Sequence, residues 1–166
     1  MLRNGDIFCV RGADVIGGAI RWVTKLQSSD NESEYNHCGI ITDTDGSTFE
    51  AVLKYSRQNL FASYHGYEVL IGRHVDMTPE RFNIGFAKVA HLEGQSYPFL
   101  RILLHFSHIG AKYIHFGKPV CSELVWMFLN ATGMKDCDYY WGMTPDDVAD
   151  AIDKWDVFDV VYSDVL

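Results

Sequence analysis

The 166-residue sequence lacks an apolar run that could cross a bilayer. Its most apolar stretch, residues 99–116, is interrupted by Arg101, His105, Ser107, His108 and Lys112, and falls short of the roughly 20 apolar residues that a spanning helix needs. No transmembrane segment is expected. Positive charge is also scarce: 14 Lys and Arg stand against 22 Asp and Glu, for a net charge of -8. The basic residues are scattered, so nucleic acid is excluded as a partner, since binding would need a positive patch to displace counterions from phosphates. Cys9, Cys38, Cys121 and Cys137 form no CxxC pair, and in a chain of this size they are expected to be free thiols. The first residues lack the basic segment, apolar core and cleavage site of a secretory signal. The chain is therefore expected to be cytoplasmic, unless another route delivers it to the cell envelope. With no internal repeat, low-complexity tract or linker, residues 1–166 read as one domain.

What is present suits a globular core. Apolar residues make up 48% and aromatics 14%, and a chain this long buries roughly 70% of its unfolded surface, without metal or disulfide staples. Residues 6–10 are predicted to form a strand, and Ile16, Ala19, Ile20 and Val23 repeat at helical spacing over 15–26. A hairpin follows: residues 35–42, then Asp43-Thr44-Asp45-Gly46, then 47–53. Residues 69–75 read as a further strand. Thr78-Pro79 starts a helix with Phe82, Phe86, Val89 and Ala90 on its apolar face. Residues 99–109 suggest another helix. The strongest helix signal begins at Cys121, with Leu124, Val125, Phe128 and Leu129 at i+3, i+4, i+7 and i+8 and Gly133 as a stop. Thr144-Pro145 opens a last helix, and residues 157–161 read as a final strand. Together these predict an α+β domain with an antiparallel sheet packed against helices.

Cys121 is the first candidate for chemistry. A thiol in the first turn of a helix lies beside unpaired backbone N–H groups and the positive end of the helix dipole, which both favour the thiolate. It also lies on the apolar stripe of its helix, where a cysteine can be simply a small buried hydrophobe. His37 stands in an otherwise apolar strand, where both ring nitrogens need partners. Glu50 depends on the hairpin register. With a four-residue loop, Thr42 pairs with Ser47, Glu50 faces Gly39, and its β-carbon lies about 7 Å or less from that of His37. With a two-residue turn at Asp45-Gly46, Glu50 faces Ile41 and is roughly 13 Å away. A thiol, an imidazole and a carboxylate are the parts of a thiol hydrolase. His105 and His108, at i and i+3, suggest no third ligand, so no metal is expected.

These residues carry a resemblance. Gly5-Asp6-Ile7-Phe8, Ile20-Arg21-Trp22-Val23-Thr24, Asn36-His37-Cys38-Gly39-Ile40, Phe49-Glu50-Ala51, Gly94-Gln95-Ser96-Tyr97, Cys121-Ser122-Glu123-Leu124-Val125 and Thr144-Pro145 follow one another in order. In this order and spacing they resemble the signature of the circularly permuted NlpC-type hydrolases, a branch of the papain-like superfamily that also holds the lecithin retinol acyltransferase-like proteins. The resemblance spans residues 5–147. It implies a papain-like fold with Cys121 as nucleophile, His37 as base, Glu50 as the third polar member, and no cofactor. It also matches Tyr97 to the family's Gly-x-x-Tyr segment, as a donor to the oxyanion with the Cys121 backbone N–H; a packed aromatic before Pro98 is the other reading of that residue. Asn36 departs from the family's usual Ser, and Cys38 from its usual small or apolar residue. By strand alternation Cys38 points away from the face of His37 and is not counted as a nucleophile.

The expected reaction is acyl transfer through a thioester, with hydrolysis of an amide in a peptidoglycan-type peptide or related small amide. A lipid acyltransferase or lipase using the same Cys-His pair is the enzymatic alternative. A binding module that keeps the fold without catalysis is the other.

Overall fold

The computed structural model describes residues 1–12, 35–97, 118–134 and 142–166. The predicted helices at 15–26 and 99–109, with Cys137, His105 and His108, lie outside them. Within the described residues a six-stranded sheet is built from β1 (Ile7–Arg11), β2 (Tyr35–Ile41), β3 (Ser47–Ala51), β4 (Tyr55–Asn59), β5 (Glu68–His74) and β6 (Phe158–Val165). The strand order is β4-β3-β2-β1-β5-β6, and every pairing is antiparallel. The helices are α1 (Leu60–Ser63), α2 (Pro79–Ala90), α3 (Cys121–Ala131) and α4 (Pro145–Lys154). The α+β class with an antiparallel sheet is as the sequence predicts.

Local chemistry explains most boundaries. Gly46, at φ +88°, ends a four-residue loop across which Thr42 N–H donates to the Ser47 carbonyl at 2.7 Å. Only glycine adopts that backbone freely, and the loop sets the register Ile40↔Phe49 and Ile41↔Thr48. Thr78 caps α2 by accepting from Arg81 N–H, and Thr144 caps α4 by accepting from Asp147 N–H; both helices begin with proline, whose missing N–H costs nothing there.

Two expectations need correction. The second hairpin strand ends at Ala51, because Val52 N–H bonds to the Lys54 carbonyl and turns the chain into β4, which polar residues Ser56, Arg57, Gln58 and Asn59 had concealed. The last strand runs on to Val165 rather than stopping at Val161: β5 supplies partners along its whole length, overriding the acidic composition of 159–164.

The sheet is covered on both faces. On one face α2, α3 and α4 bury Phe82, Val89, Leu124, Val125, Phe128 and Ile152 against Ile7, Cys9, Cys38, Ile40 and Phe49. On the other, Leu60 and Tyr64 close over Phe8, Val10, Ile41, Val69 and Ile71. Two glycines permit close approaches. A β-carbon at Gly85 would lie 2.8 Å from the Phe128 ring, and one at Gly39 would lie 2.6 Å from the Phe8 ring. The second lies beside a sequence candidate, because the Phe8 ring packs edge-on against His37, with centroids 6.1 Å apart. Among the described residues no helix is long and apolar enough to cross a membrane.

Candidate active site

Strand pairing brings His37 and Glu50 together. The observed register is the four-residue-loop alternative, which places Glu50 on the face of His37. The His37 Nε2 is 2.9 Å from Glu50 Oε2, with the two side chains 1% and 0% exposed. Two hydroxyls also donate to the carboxylate: Thr48 Oγ1 to Oε1, and Tyr64 OH to Oε2. Thr48 precedes Glu50 by two residues and so shares its face. Tyr64, the C-terminal cap of α1, lays its ring over His37 at 5.9 Å.

Burial by itself would raise the Glu50 carboxyl, but the hydrogen bond and charge of His37, with the Thr48 and Tyr64 hydroxyls, hold it below the ordinary carboxylate value. For His37, burial lowers the pKa, yet the hydrogen bonds and negative charges of Cys121 and Glu50 prevail and raise it to about 10. The imidazole is thus a cation at neutral pH, anchored through Nε2. Its other nitrogen, Nδ1, is buried without an aligned hydrogen-bond partner. The group that perturbs the ring from beyond Glu50 is the Cys121 sulfur.

Cys121 is the first residue of α3 and is 6% exposed. Its thiol is pushed well below the ordinary value, first by a hydrogen bond from the Cys38 thiol. Burial opposes this, and His37 and the Cys38 backbone add to the lowering. Cys38 itself is pushed up by burial and by the neighbouring sulfurs of Cys121 and Cys9, so it remains a thiol and a donor. The alternation argument holds, since Cys38 lies in the core opposite the His37 face. It does not remove Cys38 from the site, because the tip of α3 docks on β2 where it meets both residues. Cys9, Cys38 and Cys121 are free thiols as expected.

Three further side chains hold the helix tip. Glu123 Oε2 accepts from Val120 N–H at 3.0 Å and its Oε1 from Gly142 N–H at 2.8 Å, joining the entry of α3 to the segment before α4. Ser122 Oγ donates to the Met143 carbonyl at 2.5 Å, and Tyr55 OH to the Pro119 carbonyl at 2.5 Å. Tyr97 N–H donates to the Leu53 carbonyl at 3.0 Å, and its buried ring stands beside Cys121. The Tyr97 hydroxyl is pushed up first by burial and then by the Cys121 charge. The two groups that the resemblance matches to the oxyanion are therefore neighbours.

All four sequence candidates, Cys121, His37, Glu50 and Tyr97, fall in one neighbourhood. Thr48, Tyr64, Glu123 and Tyr55 were not anticipated. Alternation along β3 could have pointed to Thr48, and a glutamate at the third helical position to Glu123, as half of a capping box; neither tyrosine carries a local signal. No three or more His, Cys, Asp or Glu side chains among the described residues are grouped to hold a metal ion. In comparison with known proteins, no family model, curated protein or solved structure matches the chain.

Proposed function

We propose that the chain is a thiol hydrolase of the papain-like kind, in the permuted order that sets the histidine strand ahead of the cysteine helix. The observation that carries this reading is the meeting of Cys121, at a helix N-terminus, with His37, whose far nitrogen is held by the buried Glu50 carboxylate. Helix-end N–H groups and an imidazolium both stabilise a thiolate.

The thiolate attacks the carbonyl carbon of an amide, forming an S–C bond as the carbonyl electrons move onto oxygen. Tyr97 and the Cys121 N–H receive that oxygen as hydrogen-bond donors. His37 passes its proton to the departing nitrogen as the C–N bond breaks, leaving a thioester on Cys121. Neutral His37 then takes a proton from water, whose oxygen attacks the thioester; the C–S bond breaks, the acid leaves, and the ion pair returns. Glu50 keeps the proton of Nε2 in place throughout. No cofactor enters the cycle. The resemblance favours a peptidoglycan-type peptide or related small amide as substrate.

The test uses the purified chain with peptidoglycan-type peptides and, separately, fatty acyl esters, quenched in acid and analysed by intact mass. The expected result is an acyl adduct on Cys121 with the peptide and none in Cys121→Ala. An adduct formed only from the acyl ester would replace amide hydrolysis with lipid acyl transfer. The reading is overturned if neither substrate reacts, iodoacetamide labels Cys121 no faster than Cys9 and Cys38, and His37→Ala leaves that rate unchanged.

A further inference from the structure

Orienting one histidine needs one hydrogen bond, yet Glu50 accepts three. They come from separate parts of the fold: His37 on β2, Thr48 on β3 and Tyr64 at the end of α1. The distribution over the two oxygens is unequal. Oε1 takes the Thr48 hydroxyl, while Oε2 takes both the Tyr64 hydroxyl and His37 Nε2. Turning the carboxylate about its last bond would break all of these at once, so the two hydroxyls set its orientation as well as its charge. We infer that Tyr64 and Thr48 are positioning residues for the proposed reaction, a pair of hydroxyl donors that keep Glu50 ionised and aimed so that His37 offers Nδ1 to Cys121.

The inference rests on the thiol-hydrolase reading for its purpose, though not for its geometry. An ionised carboxylate at 0% exposure survives burial only if its lone pairs are satisfied. Both hydroxyls are themselves buried, on residues at 0% and 1% exposure for Thr48 and Tyr64. Tyr64 is the stronger of the two. It shares an oxygen with His37 and stacks on the imidazole at 5.9 Å, and its ring lies 5.6 Å from Phe8, so the ring plane and the carboxylate are set by the same side chain. Burial and the Glu50 charge push the Tyr64 hydroxyl far above its ordinary value, which makes it a donor at every working pH. Thr48 holds the second oxygen from the strand itself, and it too is fully buried.

The experiment follows two readouts in Tyr64→Phe, Thr48→Val and Thr48→Ser. The first is the titration of the Glu50 carboxyl by carbon-13 NMR on glutamate-labelled protein, assigned with Glu50→Gln. The second is the rate of Cys121 alkylation by iodoacetamide against pH. Tyr64→Phe keeps the ring and its packing, and Thr48→Val keeps the shape, so loss of the hydroxyl is isolated; a thermal melt verifies folding. Tyr64→Phe should raise the Glu50 midpoint by about one pH unit and slow Cys121 alkylation at pH 7 about tenfold. Thr48→Val should do the same about threefold less strongly, and Thr48→Ser should restore wild-type behaviour. The inference is overturned if both hydroxyl-deleted variants fold and leave the Glu50 midpoint and the alkylation rate unchanged. A wild-type Cys121 no more reactive than Cys9 and Cys38 would sink the hydrolase reading instead, and the Glu50 midpoint would still decide the role of the two hydroxyls.

Discussion

Asp6 and Glu50 are both buried carboxylates, at 1% and 0% exposure, and each is bound to a nitrogen cation. Asp6 meets Arg73 through two parallel bonds of 2.7 Å and also accepts from Arg3 N–H at 2.8 Å. Arg73 in turn holds the Met1 carbonyl at 2.9 Å. Guanidinium does not release its proton at any pH the protein survives, so this cation has one state, and the pair fastens the start of β1 to β5. Glu50 meets an imidazole, which can release its proton, and the Cys121 sulfur acts on that imidazole as well. Burial of a carboxylate is thus no mark of chemistry by itself; the mark is a partner able to change its charge, with a second group waiting for the proton.

Breaking each pair should separate the two roles. His37→Ala should give the largest effect, a loss of about a thousandfold or more in amide turnover, with the protein still folded by its thermal melt. Asp6→Ala should do the reverse, costing about 3 kcal/mol of stability because it leaves the Arg73 cation without its buried partner, while the alkylation rate of Cys121 in the remaining folded protein stays as in wild type. Denaturant unfolding followed with alkylation kinetics checks both. Glu50→Gln comes next, with turnover down roughly a hundredfold, since the amide can still accept from Nε2 but supplies no charge. Equal losses of stability and equal losses of activity in the Asp6 and Glu50 variants would erase the distinction.

Much of the Glu50 side was legible in the sequence. Asp43-Thr44-Asp45-Gly46 admits a four-residue loop, and that loop alone makes Glu50 a diagonal neighbour of His37. The α3 helix was legible from the spacing of Cys121, Leu124, Val125 and Phe128, and the N-terminal placement of the thiol follows from it. Tyr64 was not. It reaches Glu50 through β4 and α1, an edge strand with polar side chains and a single helical turn, neither of which shows a hydrophobic period. Cys38 was read correctly for direction, but its neighbourhood with Cys121 was not legible, because alternation says which way a side chain points and nothing about which helix end docks there. Tyr97 could be named by resemblance, but its position comes from backbone pairing of residues 94–97 with 53–55, a contact across some forty residues that no local pattern announces.

The smallest effect is the sharpest discriminator, because it follows the mobile proton directly. His37 is raised from 6.5 to about 10 in the folded state, so its contribution to stability is fully present below 6.5 and is lost as pH rises through about 10. Cys121 is lowered from 9.0, so its contribution is fully present above 9.0 and diminishes as pH falls below it. Between about 6.5 and 9 the unfolded chain holds the proton on sulfur and the folded chain holds it on imidazole, so the count is the same and the slope of stability with pH from this pair is zero. Below 6.5 the unfolded chain binds one proton more and stability falls with pH; above 9 the folded chain binds one more and stability falls again. The difference in unfolding free energy between wild type and a His37→Ala, Cys121→Ala double variant should therefore be level from about pH 6.5 to 9 and decline on either side. Cys121 alkylation should be level across the same window, where an ordinary thiol would gain about tenfold per unit. The same difference measured for Asp6→Ala should show no decline above pH 9, since Arg73 exchanges no proton there. A Cys121 alkylation rate that climbs steadily through the window would place the proton on sulfur and leave His37 as another buried cation held by a carboxylate, no different in kind from Arg73.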